Sequence, residues 1–291
     1  MLSCGFCGGG QFSELRGLGI VRCQCGAAYA MGELGTDPRF STPRYSVFLE
    51  SFRKQSEEFF EFWTGQIIPL MPGSNGRILD VGFGYGVFLK IMAQKGHAVE
   101  GVDVSDIHCK HLQTTVLTAR AHPGSLTSAP VFENLERRRF SLVSFWDCLQ
   151  YISDAAEQLR VADRLLNPGG LLIVQTPNRS NANLRYARTL SIFHPELARF
   201  FLHKPAAKVF LDPAMLDKWI EHLGEGYELL SNPAWRGKPR FVLDLHSPKA
   251  FIEGMLLSGW AVVARMKNEE TSPVHVFRKL PSGAPCAQRQ P

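Results

Sequence analysis

The sequence predicts an α/β protein built on a doubly wound, mostly parallel sheet, and three observations carry that prediction. Between residues 77 and 175, apolar runs of strand length alternate with segments at helical period, the pattern of a parallel sheet covered on both faces. Arg77-Ile78-Leu79 leads into Asp80-Val81-Gly82-Phe83-Gly84-Tyr85-Gly86, a strand that ends on an acid and a glycine-rich turn that opens a helix. Asn167-Pro168-Gly169-Gly170 stops a later helix and turns the chain into another strand.

At the N-terminus, four of the seven cysteines fall in the first 25 residues: Cys4, Cys7, Cys23 and Cys25. Two cysteine pairs flanking a turn of about 15 residues resemble a structural zinc ribbon. Four thiolates give closed tetrahedral coordination with no position left for catalysis. The competing reading is a set of unmetallated thiols. The second pair is Cys-x-Cys and so one residue short, although residues two apart on an extended chain face the same side. Residues 1–36 form this segment, with Gly35-Thr36-Asp37-Pro38 as a linker. Tyr45, Phe48, Leu49, Phe52, Phe59, Phe60, Trp63 and Ile67 recur at helical spacing, which makes 37–72 an N-terminal helix packed on the sheet. Pro72-Gly73-Ser74-Asn75-Gly76 ends it.

Strands are expected near 77–81, 98–103, 129–132, 140–146 and 170–175, with helices near 86–95, 105–120 and 154–166. Beyond strand five the pattern changes to helical stretches at 183–200 and 213–223. Strand candidates follow at 227–231 and 259–266, with a helix near 248–257.

Composition excludes several classes. Charged residues make up 20% and hydrophobic residues 45%, and the net charge is +5, ordinary for a globular domain. The basic residues are scattered; Arg137-Arg138-Arg139 is the one tight run and reads as a solvated loop. No dense basic stripe marks a dedicated nucleic-acid binder, and no apolar stretch reaches the roughly 20 residues of a membrane span. No secretory signal is visible, so a reducing cytoplasm is the expected compartment.

The glycine turn aims backbone N–H groups and a helix N-terminus at an anionic group. A second acid, Asp103, closes the next strand 23 residues after Asp80, near the spacing at which a carboxylate reaches a ribose diol. The glycines run Gly-x-Gly-x-Gly (82, 84, 86), and Val87 replaces the third glycine of a dinucleotide fingerprint. A carboxylate at position 80 would repel a pyrophosphate. It suits a ligand with an ammonium there, such as S-adenosylmethionine. Ile78 to Ser105 and Phe140 to Asn178, read in order, resemble the motifs of the class I S-adenosylmethionine-dependent methyltransferases.

That resemblance implies a seven-stranded Rossmann-like methyltransferase fold ending in an antiparallel hairpin. The cofactor-binding core would span 73–180 and 226–268, with 180–225 and 232–258 as a substrate cap and 269–291 as a tail. Gly82, Phe83, Gly84 and Gly86 would hold the methionine end and Asp80 its ammonium. Asp103 would take the ribose hydroxyls and Val104 would pack on adenine. Glu133 and Asn134 stand nearest to where the family reads the adenine amino group, just past strand three. Asp147, closing strand four, would line the cofactor near the sulfonium. Methyl transfer is an in-line displacement helped mainly by positioning, and a base is needed only when the acceptor must lose a proton. His194, His203 and Tyr151 are the candidates. Relatives resembling ubiquinone-type O-methyltransferases carry a metal-binding Glu-His where this chain has Gln150-Tyr151, so no catalytic Mg²⁺ is expected. Cys148 reads as a small buried filler.

The resulting expectation is methyl transfer to a small-molecule acceptor, at an oxygen of a secondary metabolite, sugar or lipid precursor, with structural zinc and no nucleic-acid or membrane partner. Two alternatives stand beside it: an RNA or nucleobase methyltransferase whose ribbon grips nucleic acid, and a non-catalytic cofactor-binding scaffold. The sequence is silent on oligomeric state.

Overall fold

The structure is a computed structural model that describes residues 3–15, 18–31, 53–73, 76–177, 187–192, 198, 207–230 and 273–281. Two sheets organise it. The larger has seven strands in the order β10-β11-β8-β7-β4-β5-β6. Its parallel part comprises β4 (Arg77–Val81), β5 (Ala98–Asp103), β6 (Arg120–Pro123), β7 (Phe140–Trp146) and β8 (Leu166–Gln175). Two antiparallel strands, β10 (Tyr227–Leu229) and β11 (Val274–Lys279), complete it.

Strand period sorts the core into two layers. On one face Ile78, Val99, Leu142, Ile173 and Val276 pack with Phe59, Trp63 and Ile67 of α1 (Arg53–Ile67), Phe88 and Met92 of α2 (Val87–Gln94), and Leu112 of α3 (Asp106–Thr115). On the other, Leu79, Val81, Val143, Phe145, Val174 and Phe277 meet α4 (Ala129–Leu135), α5 (Ala155–Leu165) and α6 (Pro213–Glu221). The α1 aromatics surround Trp146 at the end of β7, with Phe60 5.2 Å and Phe59 5.8 Å from it between centroids. The helix therefore covers one sheet face. Tyr45, Phe48, Leu49 and Phe52 lie outside the described residues.

The smaller sheet holds β1 (Phe12–Leu15), β2 (Ile20–Cys23), β3 (Ala28–Ala30) and β9 (Val209–Phe210) in that order. The N-terminal segment thus shares a sheet with a strand from far along the chain. It is also fastened to the helices beneath: Arg160 Nη2 donates to Gly5 O and Trp219 Nε1 to Phe6 O, each at 2.6 Å.

Three expectations need correction. The third strand is Arg120–Pro123, and residues 129–132 begin helix α4 instead. Extended Ser128 and Pro130 in the first turn favour a helix start there, whereas Arg-Ala-His-Pro at the sheet edge has no apolar run to announce it. Strand β11 lies inside the stretch expected to be a tail. Its Val274 and Val276 face one layer and Phe277 the other, but His275, Arg278 and Lys279 mask the alternation. The candidate strand 259–266, the helix near 248–257 and the cap segment 232–258 lie outside the described residues. Of the expected helix 183–200, residues 187–192 are helical.

The third correction concerns Arg138. It reaches Glu100, which is 3% exposed and also holds His122 Nε2 at 2.9 Å and Arg77 Nε at 3.7 Å. Burial would raise the Glu100 carboxyl, but His122 and Arg138 outweigh it and hold it below the usual range. Because the folded value is lowered, this contribution is present above the unfolded carboxylate pKa and is lost as pH falls through the folded one. Arg138→Ala should cost about 1–3 kcal/mol by leaving a buried carboxylate short of partners. It should also move the acid limb of unfolding to higher pH, both read from urea melts across pH. An unchanged acid limb would exclude this role.

Candidate active site

β4, β5 and β7 are neighbouring parallel strands, so their carboxyl ends lie along one edge of the sheet, where open α/β sheets take their ligands in a crevice. The turn after β4 is set by backbone hydrogen bonds: Gly82 N donates to Val102 O of β5 at 2.7 Å and Gly86 N to Phe83 O at 2.9 Å. Gly82 has φ +71, and a Cβ there would stand 2.7 Å from Cys148 Cβ, so any side chain is excluded twice over. Phe83 contributes backbone only, since its buried ring packs in the sheet layer below.

Asp103 ties this turn to β5. Its Oδ2 accepts from Gly84 N at 2.9 Å, and its Oδ1 accepts from Ser105 N at 2.9 Å and lies 3.2 Å from His108 Nδ1. Ser105 also caps α3, its hydroxyl accepting from His108 N. Asp80, 1% exposed, accepts from Ser144 Oγ at 2.7 Å. Burial pushes its carboxyl up to about 8, against the Ser144 hydrogen bond and with help from the nearby Asp103 charge. Val104 is half exposed beside Asp103.

Asp147 closes β7 with φ +51, the one non-glycine residue in the left-handed region among those described. Its N–H donates to Gln175 O at 3.0 Å. Gln150 Nε2 donates to both Asp147 O and Asp147 Oδ1, each at 2.9 Å. Neither the sequence motif nor its spacing pointed to Ser144, His108 or Gln150; each acts by holding one of the acids the sequence did single out. Cys148 is half-buried and donates to Val81 O at 3.0 Å, and desolvation of its sulfur and three neighbouring carboxylates push the thiol well up. A thiol held in its protonated form is a poor nucleophile.

The remaining candidates do not gather here. Glu133 and Asn134 are exposed on α4, and Asn134 Nδ2 donates back to Pro130 O at 2.8 Å. They do not follow strand three, which ends at Pro123; Gly124 and Ser125 take that place. The half-buried Tyr151 ring packs with Leu15, Ala30 and Leu190 around Ile20 and Phe210. His194 and His203 lie outside the described residues.

In the N-terminal sheet the four thiols Cys4, Cys7, Cys23 and Cys25 converge, all sulfurs within 4.8 Å of one another. Cys4 lies 3.6 Å from Cys25 and Cys7 3.5 Å from Cys23. These separations are too long for disulfides and close to the ~3.8 Å edge of a tetrahedron with metal–sulfur bonds of about 2.3 Å. The donor set therefore fits a thiophilic metal ion. At Cys4, burial pushes the thiol up, but hydrogen bonds from Tyr29 and nearby amides prevail and hold it at about 7.

A family model described as a methyltransferase domain matches residues 53–208, just over half the chain. The chain belongs to the class I S-adenosylmethionine-dependent methyltransferases. This methyltransferase is 27% identical over 211 residues to the ubiquinone biosynthesis O-methyltransferase of Alkalilimnicola ehrlichii, covering 63% of this chain and 81% of that one. It is 31% identical over 134 residues to the enzyme of the same description from Paracidovorax citrulli, covering 45% and 56%. Among solved structures, a putative sarcosine dimethylglycine methyltransferase from Galdieria sulphuraria superposes with TM-score 0.55 at 14% identity, covering 78% of this chain and 86% of that one. A SAM-dependent methyltransferase from Archaeoglobus fulgidus does so with TM-score 0.52 at 17% identity, covering 81% and 99%. At these identities the structures establish the fold alone. Among the described residues, no helix is long and apolar enough to cross a membrane.

Proposed function

We propose that this methyltransferase carries the methyl group of S-adenosylmethionine to an oxygen of a small molecule. The observation that supports this most is the grouping of three acidic residues, Asp80, Asp103 and Asp147, at the carboxyl edge of adjacent strands. Such a rim favours a sulfonium and an ammonium, and it disfavours a phosphate backbone. The O-methyltransferase relatives support the oxygen acceptor. In this reading the Gly82–Gly86 backbone and Asp80 take the amino-acid end of the cofactor and Asp103 takes the ribose. Val104 lies against adenine, and Asp147 faces the sulfonium side. Gly84, Ser105 and His108 already occupy three of the roughly four lone-pair positions of Asp103. The ribose diol therefore takes Oδ2 and displaces His108 from Oδ1. The four cysteines hold a structural zinc ion.

The direct test is turnover of labelled S-adenosylmethionine over a panel of hydroxylated aromatics, sugars and lipid precursors, alongside calorimetry with the demethylated product S-adenosylhomocysteine. Asp103→Ala should weaken binding of that product about 10- to 100-fold, from the loss of charge-assisted hydrogen bonds. Failure of the wild type to bind it, with uptake of a nicotinamide dinucleotide instead, would end the proposal.

Asp80 gives a pH signature. Its raised pKa of about 8 means that below this pH the ligand-free carboxyl carries a proton. An arriving ammonium favours the carboxylate, so a proton leaves as ligand enters. Affinity should climb with pH between about 6 and 7.5, by at most tenfold per unit, and Asp80→Asn should flatten the climb. A flat wild-type profile contradicts the ammonium assignment.

Metal content is the third check. Native mass spectrometry should find one zinc per chain, and Cys7→Ser should lose it together with stability of the N-terminal sheet. A wild type folded and metal-free after preparation with zinc would remove the metal from this account.

A further inference from the structure

The four-thiol cluster is joined to Asp147 by a path of chain segments and hydrogen bonds. Cys23 ends β2, and β3 starts five residues later. β3 pairs with β9, Ala28 opposite Phe210 and Tyr29 opposite Val209. Ala30 N donates to Lys208 O at 2.9 Å, and Lys208 N donates to Gln150 O at 2.8 Å. Gln150, 4% exposed, then donates through Nε2 to the carbonyl and the carboxylate of Asp147. Both receiving atoms are acceptors only, so the amide has one possible orientation. A left-handed backbone is uphill for a residue with a Cβ and persists only where its surroundings fix it. At Asp147 the fixing groups are Gln175 O and the Gln150 side chain.

We infer that Gln150 is a positioning residue through which metal bound at Cys4, Cys7, Cys23 and Cys25 sets the conformation of Asp147, and with it the affinity for the cofactor. A bound ion pins the tip that joins β2 to β3, and β3 pins Lys208. Lys208 holds the 149–151 turn, and the Gln150 amide holds Asp147. The Tyr29 hydroxyl, 3.2 Å from Cys4 Sγ, adds a side-chain link between cluster and strand. The inference rests on the reading above that Asp147 lines the cofactor.

The test uses the full-length zinc-loaded protein with S-adenosylhomocysteine as probe, its Kd measured by calorimetry before and after zinc is removed by a chelator. Gln150→Met keeps the volume and removes the amide; Gln150→Lys keeps a donor for Asp147. Chelation should weaken wild-type binding about five- to tenfold and speed amide exchange at residues 147–152. Gln150→Met should weaken it to a similar degree with zinc present, and chelation should then add little. Gln150→Lys should restore most of the affinity and the response to zinc. The inference is overturned if chelation leaves both Kd and exchange unchanged, or if the penalties of chelation and Gln150→Met multiply as independent effects. It is also overturned if chelation unfolds the whole chain by circular dichroism, because the cluster would then act on the entire fold. Asp147→Ala separates the two levels. Wild-type affinity in that variant removes Asp147 from the cofactor site, whereas weakened affinity beside an unaffected Gln150→Met removes the relay alone.

Discussion

Two carboxylates buried side by side at the end of a parallel sheet are the constraint on which the rest of the site depends. Placing both charges there without partners would cost several kcal/mol per ion. The chain resolves the conflict differently at each acid. Asp103 takes donors from Gly84, Ser105 and His108, whereas burial drives Asp80 toward its neutral form. The Gly84 donor has a second effect, because it fastens the glycine turn to the end of β5. The carboxylate that meets a ribose in the proposed complex is thus also the group that shapes the loop meant for the amino-acid end. A buried acid with a raised pKa beside a second charge is a common mark of functional sites.

Much of this was legible from the sequence because strand period and the glycine–acid spacing are local signals. β4, β5 and β7 are rich in apolar and β-branched residues, and their bounds match expectation to the residue. β6 was missed because an edge strand needs little burial: Arg120-Ala-His-Pro presents no hydrophobic run. That error moved Glu133 and Asn134 into a role the helix α4 does not give them. β11 escapes a sequence reading because it carries His275, Arg278 and Lys279, whose partners lie elsewhere. Lys279 Nζ pairs with Asp163 at 3.0 Å, and His275 Nδ1 lies 2.7 Å from Asp217. Ion pairs between distant segments leave no trace at sequence level. Ser144, His108 and Gln150 were illegible for the same reason, since each is chosen by a neighbour in space.

The short second cysteine pair shows the reverse case, a local irregularity explained only by the hairpin around it. Cys23 sits at the end of β2, and Cys23 N donates to Ala27 O at 2.8 Å while Gly26 N returns to Cys23 O at 2.9 Å. Gly26 takes φ +103 and completes the tight turn. The missing residue of the pair is compensated by this curl. Each sulfur of the second pair then meets a different sulfur of the first, Cys25 with Cys4 and Cys23 with Cys7.

The position of β9 decides how the N-terminal sheet should be understood. A ribbon tethered by a linker alone would leave its edge strand open, which native proteins avoid. Here the edge of β3 is covered by residues 209–210, which the chain reaches immediately before α6. Lys208 bonds at once to β3 and to the turn after β7, so one residue joins the thiol cluster, the end of strand four and the start of the helix layer over β8. Phe6 and Gly5, flanked by Cys4 and Cys7, are held by Trp219 and Arg160 from two helices of that layer. Disorder in the cluster would therefore release contacts on both the sheet edge and the helix layer. For this reason the four cysteines are tied into the main fold through β9 and two of its helices.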